Sequence, residues 1–205
     1  MNSERDFYLT DGITLAEKLL GKTLVHKIGE RELCGVVTET EAYMGVLDKA
    51  SHAYGGKRTK RTETMYFQGG YSYVYLIYGM YSCMNITANK EGIPEAVLIR
   101  AIKPVGDISF MYEKIKEKSR RSRLPDSVCE LKEKELCALT NGPGKLCIAM
   151  DIDTRIHNAI DMTGNELFVR DDGYTPKSVA ASSRIGIDYA EEAAFYPWRF
   201  TAYGI

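Results

Sequence analysis

Two glutamates, Glu39 and Glu41 in Thr38-Glu39-Thr40-Glu41-Ala42-Tyr43, precede a basic glycine loop, Gly55-Gly56-Lys57-Arg58-Thr59-Lys60-Arg61, and a run of tyrosines, Tyr71-Ser72-Tyr73-Val74-Tyr75-Leu76-Ile77-Tyr78-Gly79. Residues two apart in a strand emerge on one face, roughly 7 Å apart, so both carboxylates can line one site. A carboxylate stabilises the oxocarbenium-like state through which a sugar-to-base bond breaks, and it orients and deprotonates water. Rings stack on bases, and Lys or Arg side chains seek phosphates. Together the three features suit chemistry on a base extruded from nucleic acid.

Each feature also has a plainer role. A Glu pair is more often a solvated strand face, and a glycine-led loop is ordinarily just exposed. The tyrosines say more: alternation puts Tyr71, Tyr73, Tyr75 and Ile77 on one face and Val74, Leu76 and Tyr78 on the other, so no single core takes them all. Tyr78, just before Gly79, either packs within the sheet or fills the gap left by a displaced nucleotide. His52, after Asp48-Lys49-Ala50-Ser51, is placed to meet a flipped base or its phosphate, whereas His26 and His157 lack comparable neighbours. Glu39, Glu41, Asp48 and His52 could instead gather a divalent metal for phosphodiester hydrolysis, but the HxxxH and clustered-Asp signatures are missing. No metal site and no cofactor are expected.

The elements that must position these residues follow from local pattern. A helix is predicted after Thr14 as N-cap, with Leu15, Leu19 and Leu20 on its apolar face and Gly21 as its stop. Residues 23–43 read as two strands around Gly29-Glu30-Arg31, with Glu41 near the end of the second. Residues 71–87 read as two more around Gly79, and 96–102 as a further strand ending at Pro104. From 107 to 139 the composition shifts to Lys, Glu and Arg with apolar residues at helical intervals, which predicts two surface helices and a partly disordered stretch within 120–135. Pro143 opens another helix, and short strands are expected near 166–170, 182–186 and 198–203. The fold class is α+β: one domain, 1–205, with a mostly antiparallel, curved β-sheet flanked by α-helices.

The totals agree with one domain, since 205 residues of which 44% are apolar can bury a core of their own. Five cysteines, an odd number without CxxC or Cys/His ligand spacing, argue against a disulfide framework, a structural zinc and an iron-sulfur cluster. The first residues lack the basic-then-apolar order of a secretion signal, and no apolar run approaches the length that crosses a bilayer. The expected place is the cytoplasm, at the nucleoid if the source is bacterial, without membrane contact. A net charge of -1 means that any polyanion must be held by a locally basic face.

Five stretches carry a resemblance: Leu19-Leu20-Gly21-Lys22-Thr23-Leu24-Val25, Glu39-Thr40-Glu41-Ala42-Tyr43, Asp48-Lys49-Ala50-Ser51-His52-Ala53, Tyr73-Val74-Tyr75-Leu76-Ile77-Tyr78-Gly79-Met80 and Ala96-Val97-Leu98-Ile99-Arg100-Ala101. In order and spacing they closely resemble the alkyladenine (3-methyladenine) DNA glycosylase family. The likeness resumes at Asn141-Gly142-Pro143-Gly144-Lys145 and at Val179-Ala180-Ala181-Ser182-Ser183-Arg184-Ile185-Gly186, leaving about 107–139 as a variable helical segment. The resemblance implies that Glu41 is the general base for water, with Glu39 supporting it and Arg100 helping to hold the water through its main-chain carbonyl. It implies that Tyr43, His52 and Tyr75 sandwich the flipped base, that Asn85 excludes normal guanine, and that Tyr78 enters the duplex. Lys57, Arg58, Lys60, Arg61 and Arg184 are expected on the DNA backbone. Thr62 and Gly69-Gly70 depart from the family's usual Asn and Pro-Gly, which bears on loop geometry.

The expected partner is double-stranded DNA containing damaged purines, bound by a monomer. With no lysine where a Schiff-base nucleophile would stand, the expected reaction is hydrolysis that leaves an abasic site without nicking the strand. The rival reading is a non-catalytic protein that binds damaged DNA through the same loop and wedge.

Overall fold

In the computed structural model, which describes residues 4–118 and 124–205, the sheet is built around one long strand. β1 (Thr23–Ile28) turns at Gly29 and Glu30 into β2 (Arg31–Tyr43), as the hairpin signal predicts. β3 (Ser72–Ile77), β4 (Tyr81–Ala88) and β5 (Glu95–Pro104) form a meander that joins β2 through β5. β6 (Leu167–Arg170) lies on the far side of β1. β7 (Ser178–Ser182) and β8 (Arg199–Tyr203) return to the middle, where β8 pairs with Glu39, Thr40 and Glu41.

β2 therefore changes partner half-way, held by β1 along residues 31–36 and by β8 along 39–41, with β5 on its other edge. These pairings are antiparallel, and two bulges in the β2–β5 ladder, at Thr38 and at Arg100, help to curl the sheet. They flank Glu39, so the acidic pair and Arg100 sit where the strands bend.

α1 (Gly12–Leu19) begins earlier than the sequence suggests. The Asp11 carboxylate accepts the Thr14 N–H at 2.9 Å and the Thr14 hydroxyl at 2.6 Å, so Asp11 is the N-cap and Thr14 lies inside the first turn. Leu15, Ala16 and Leu19 bury its inner face, and the Thr40 hydroxyl of β2 donates to the Ala16 carbonyl. Gly21 follows at φ +82°, where a Cβ would lie 2.4 Å from the Tyr174 carbonyl oxygen, so no other residue fits without backbone movement.

α2 (Ile108–Lys118) and α3 (Glu133–Leu139) occupy the predicted charged segment, of which 119–123 lie outside the described residues. α4 (Pro143–Ala149) starts at its proline and buries Leu146, Cys147 and Ala149. α5 (Thr154–His157), which no periodicity announced, leads into a strap along the free edge of β3. There Val74 donates to the Asn158 side chain and Ser72 to the Ile160 carbonyl.

Two histidines latch this strap to β1. The Asp153 N–H donates to His157 Nδ1 at 2.9 Å, which leaves the proton on His157 Nε2 to meet His26 Nε2 at 3.1 Å, and His26 Nδ1 to donate to the Met150 carbonyl at 2.6 Å. Burial lowers the His26 pKa, which favours the neutral form of that ring.

The main core lies between the sheet and α1, α2 and α4. Two smaller clusters stand apart from it: Ala53, Met65, Tyr66, Tyr73 and Ala96 in one, Ala50, Ile187, Ala190 and Ala193 in the other. The strand expected near 182–186 ends instead at Ser182, because Arg184 is buried and Gly186 takes φ +75° as the chain leaves the sheet.

Further along that segment Glu191 holds φ +49° and ψ -127°, a conformation suited to glycine. Glu191→Gly is expected to stabilise the fold by about 1 kcal/mol, since relief of strain exceeds the added chain entropy. A urea midpoint at or below wild type would contradict this.

Candidate active site

Glu41 is fully buried near the end of β2, with only donors around its carboxylate. Tyr43, two residues on and on the same face, donates its hydroxyl to Oε2 at 2.9 Å. The Ile185 N–H donates to Oε1 at 2.8 Å, and Arg100 Nη1 lies 3.3 Å from the same oxygen. Burial pushes the Glu41 pKa above the ordinary carboxylate value, while Arg100, the Ile185 N–H and the Tyr43 hydroxyl pull it back. The result is a carboxylate held in place yet more basic than an exposed one.

Glu39 lies on the same side, as the two-residue spacing predicts. Arg100 Nε and Arg199 Nη1 each reach its Oε1 at 3.0 Å, so Arg100 bridges the two glutamates. The Arg100 carbonyl accepts the Gly142 N–H at 3.0 Å, which uses one of its two lone pairs.

In front of this network lies a cavity of about 280 Å³, just under the ~300 Å³ at which clefts for larger ligands begin. That size suits one flat base. Tyr43, His52, Tyr75, Tyr78, Asn85 and Arg100 all line it. Glu41 itself does not; it stands behind Tyr43, Arg100 and Ile185, its three partners, which do. The Tyr73 and Tyr75 rings lie 5.4 Å apart, and His52 meets Tyr75 edge-on at 4.6 Å. The Asn85 side chain donates to the Tyr73 carbonyl at 3.0 Å, which fixes its direction in the wall.

His52 is paired through both nitrogens, Nδ1 with the Tyr73 hydroxyl at 2.9 Å and Nε2 with Arg61 at 3.4 Å. Burial and the Arg61 charge bring its pKa down to about 4, so the ring is neutral at pH 7. With Arg61 donating to Nε2, the proton sits on Nδ1.

Alternation sets Tyr78 with Val74 and Leu76, facing away from Tyr75. The structure corrects this: Tyr78 takes φ +53° in the turn after β3, leaves the strand's alternation and stands 83% exposed beside the cavity.

The five expected backbone contacts separate. Lys57 and Lys60 project from an exposed loop that Thr62 closes, its hydroxyl accepting the Thr59 N–H and donating to the Lys57 carbonyl. Arg58 is exposed too, forked onto Glu63 and stacked over Tyr66. Arg61 belongs to the cavity wall, its guanidinium carbon 5.2 Å over the Tyr75 ring.

Arg184 is misplaced by the sequence reading. Its side chain has no exposed surface, so it reaches no phosphate. It grips Asp48 with both terminal nitrogens, at 2.5 and 2.8 Å, between the rings of Tyr43 and Trp198. Asp48 also accepts the N–H groups of Met44 and Ala50. Asp48 is thereby committed, and the four residues weighed as metal ligands do not gather. Among the described residues the His, Cys, Asp and Glu group close enough to share a metal is His26, His157 and Glu166, whose histidines the latch already satisfies.

Sequence reasoning missed Cys83, Leu98, Ile185, Ile187 and Tyr189 in the wall. Cys83 alternates with Asn85 on β4, a signal that was available. The three from the 183–196 segment carry no local signal. Burial pushes the Cys83 thiol up to about 11, which keeps it an apolar wall group rather than a nucleophile. Among the described residues no helix is long and apolar enough to cross a membrane.

Comparison with known proteins matches residues 6–204 to the family described as methylpurine-DNA glycosylase (MPG). A Clostridium acetobutylicum protein named as a 3-methyladenine DNA glycosylase is 47% identical over 196 residues, 96% of this chain and 91% of that relative. Relatives with the same name from Desulfitobacterium hafniense and Alkaliphilus oremlandii are each 45% identical, covering 96% and 98% of this chain and 92% and 95% of their own. With a match across nearly its whole length and relatives near half identical, the chain belongs to the methylpurine-DNA glycosylase family.

Proposed function

We propose that this chain, a hydrolytic DNA repair glycosylase by family, acts as a soluble cytoplasmic monomer on alkylated or deaminated purines swung out of duplex DNA. The observation that carries the reading is the buried Glu41 carboxylate, ringed by Tyr43, Arg100 and Ile185 behind a base-sized aromatic cavity. A carboxylate has about four acceptor positions, and these partners use three. The remaining one takes a proton from the water that attacks the sugar carbon.

Tyr43, His52 and Tyr75 stack on the base, Asn85 screens out normal guanine, and Tyr78 fills the vacated place in the stack. Lys57, Arg58 and Lys60 meet phosphates, and their charge is local enough to act despite the net charge of -1. A protein that only bound damaged DNA would need no buried carboxylate, whose desolvation costs stability.

The test is a release assay on duplexes carrying 3-methyladenine, 7-methylguanine or hypoxanthine. Free base and an abasic site are expected, with strand breakage only after alkali. Release should fall as pH drops through the raised pKa of Glu41, on an acid limb above the ordinary glutamate value. Binding without release at any pH would leave the rival reading standing.

A further inference from the structure

Among the cations expected on the DNA backbone, Arg61 lines the base cavity from its exposed rim. Its guanidinium lies over the Tyr75 ring and reaches His52 Nε2, so it touches two of the rings assigned to the base. The Tyr73 hydroxyl feels it as well, for Arg61 partly offsets the burial that pushes that group up to about 12. The other charges of the site come in balanced sets: Glu39 and Glu41 with Arg100 and Arg199, Asp48 with Arg184. Among the described residues no carboxylate pairs with Arg61, which stands as an unbalanced positive charge at the mouth of that site, beside a neutral histidine.

Resting on the proposed function, we infer that Arg61 is a specificity-determining catalytic residue that draws electrons toward the departing base and favours neutral lesions over cationic ones. In the reaction the bond from C1′ to N9 breaks with both electrons going to the base. Water supplies hydroxyl to C1′, and its proton passes to Glu41. An N-alkylated purine starts as a cation and leaves neutral. Hypoxanthine starts neutral, leaves as an anion, and then takes its proton from Glu41 or solvent.

A guanidinium next to the base stabilises the growing negative charge on hypoxanthine. Toward a cationic purine it does something else: it opposes binding, and that repulsion vanishes as the base becomes neutral. Relative to free reactants, the transition state for a cationic lesion gains little from Arg61. A phosphate contact would behave differently, since it aids every lesion equally.

The experiment compares wild type, Arg61→Gln and Arg61→Lys in single-turnover release of hypoxanthine and 7-methylguanine, with maximal rate and half-saturation concentration measured separately. For Arg61→Gln the ratio of rate to half-saturation should fall about tenfold or more with hypoxanthine and stay near wild type with 7-methylguanine, whose half-saturation concentration should fall. Arg61→Lys should recover part of the loss. Equal losses on both lesions, with the salt dependence of binding reduced by about one charge, would make Arg61 a phosphate contact and overturn the inference. An unchanged ratio between lesions would overturn it too. If wild type releases neither base, the proposed function itself fails, a result distinct from release with no Arg61 discrimination.

Discussion

Glu41→Gln is expected to slow base release by about a hundred- to ten-thousand-fold while the protein still binds a lesion-bearing duplex. Glutamine has the shape of glutamate, so its carbonyl oxygen can go on accepting the Ile185 N–H, and the Tyr43 hydroxyl can rotate to accept from the new amide. What disappears is the ability to take a proton from water. Single-turnover release with enzyme in excess, beside a binding titration on the same duplex, separates the two effects. Release near the wild-type rate, or binding lost in parallel with release, would remove Glu41 from the general-base role.

The same substitution has a stability signature with a definite sign. Because burial raises the Glu41 pKa in the folded state, its contribution to stability is fully present below the ordinary glutamate value and is lost as pH rises through the raised one. Glutamine does not titrate. The variant should therefore lack this part of the pH dependence and melt no lower than wild type near pH 7.

Asp48→Asn should be among the most damaging substitutions to the fold outside the main core. Arg184 and Asp48 are both without exposed surface, and removing one charge leaves the other buried and uncompensated. Such a loss costs about 3–5 kcal/mol. At roughly 2–4 °C per kcal/mol for a chain of this length, Tm should fall by roughly 6–20 °C. Replacing both partners together, as Asp48→Leu with Arg184→Met, should recover only part of that, since it removes the unpaired buried charge but leaves the Met44 and Ala50 N–H groups without their acceptor. A Tm within about 2 °C of wild type for Asp48→Asn would show that the pair holds nothing together.

The pair also bears on the chemistry. Arg184 stacks on Tyr43 and precedes Ile185, and those two residues supply two of the three donors to Glu41. Asp48→Asn should accordingly slow release even at temperatures where the protein remains folded. Thermal denaturation and release measured on one preparation distinguish the two losses.

Some of this architecture could be read locally. The β1–β2 hairpin, the β3–β4 turn and the start of α4 at Pro143 came from glycine, proline and alternation signals that act within a few residues. The α1 cap was misread by three residues because Asp11 and Thr14 are both capping types, and the carboxylate accepts from both donor groups of Thr14. The Glu39 and Glu41 spacing gave one shared face, as found, because strand geometry depends on nothing else.

By itself the sequence determined the order of the main elements apart from α5, the acidic pair and the tyrosine run and, through motif resemblance, the family and the rings of the cavity wall. Only the tertiary structure decided where three side chains go. Arg184 meets Asp48 across 136 residues and Ile185 meets Glu41 across 144, so no local pattern could report that this arginine lies inside. Tyr78 was assigned to the wrong face because a positive φ ends the alternation on which the assignment rested. Arg61 read as one of four loop cations, and its place over Tyr75 depends on how the loop folds back onto β3. Local stereochemistry acts within a few residues of chain, whereas burial and charge pairing depend on neighbours that only folding brings together.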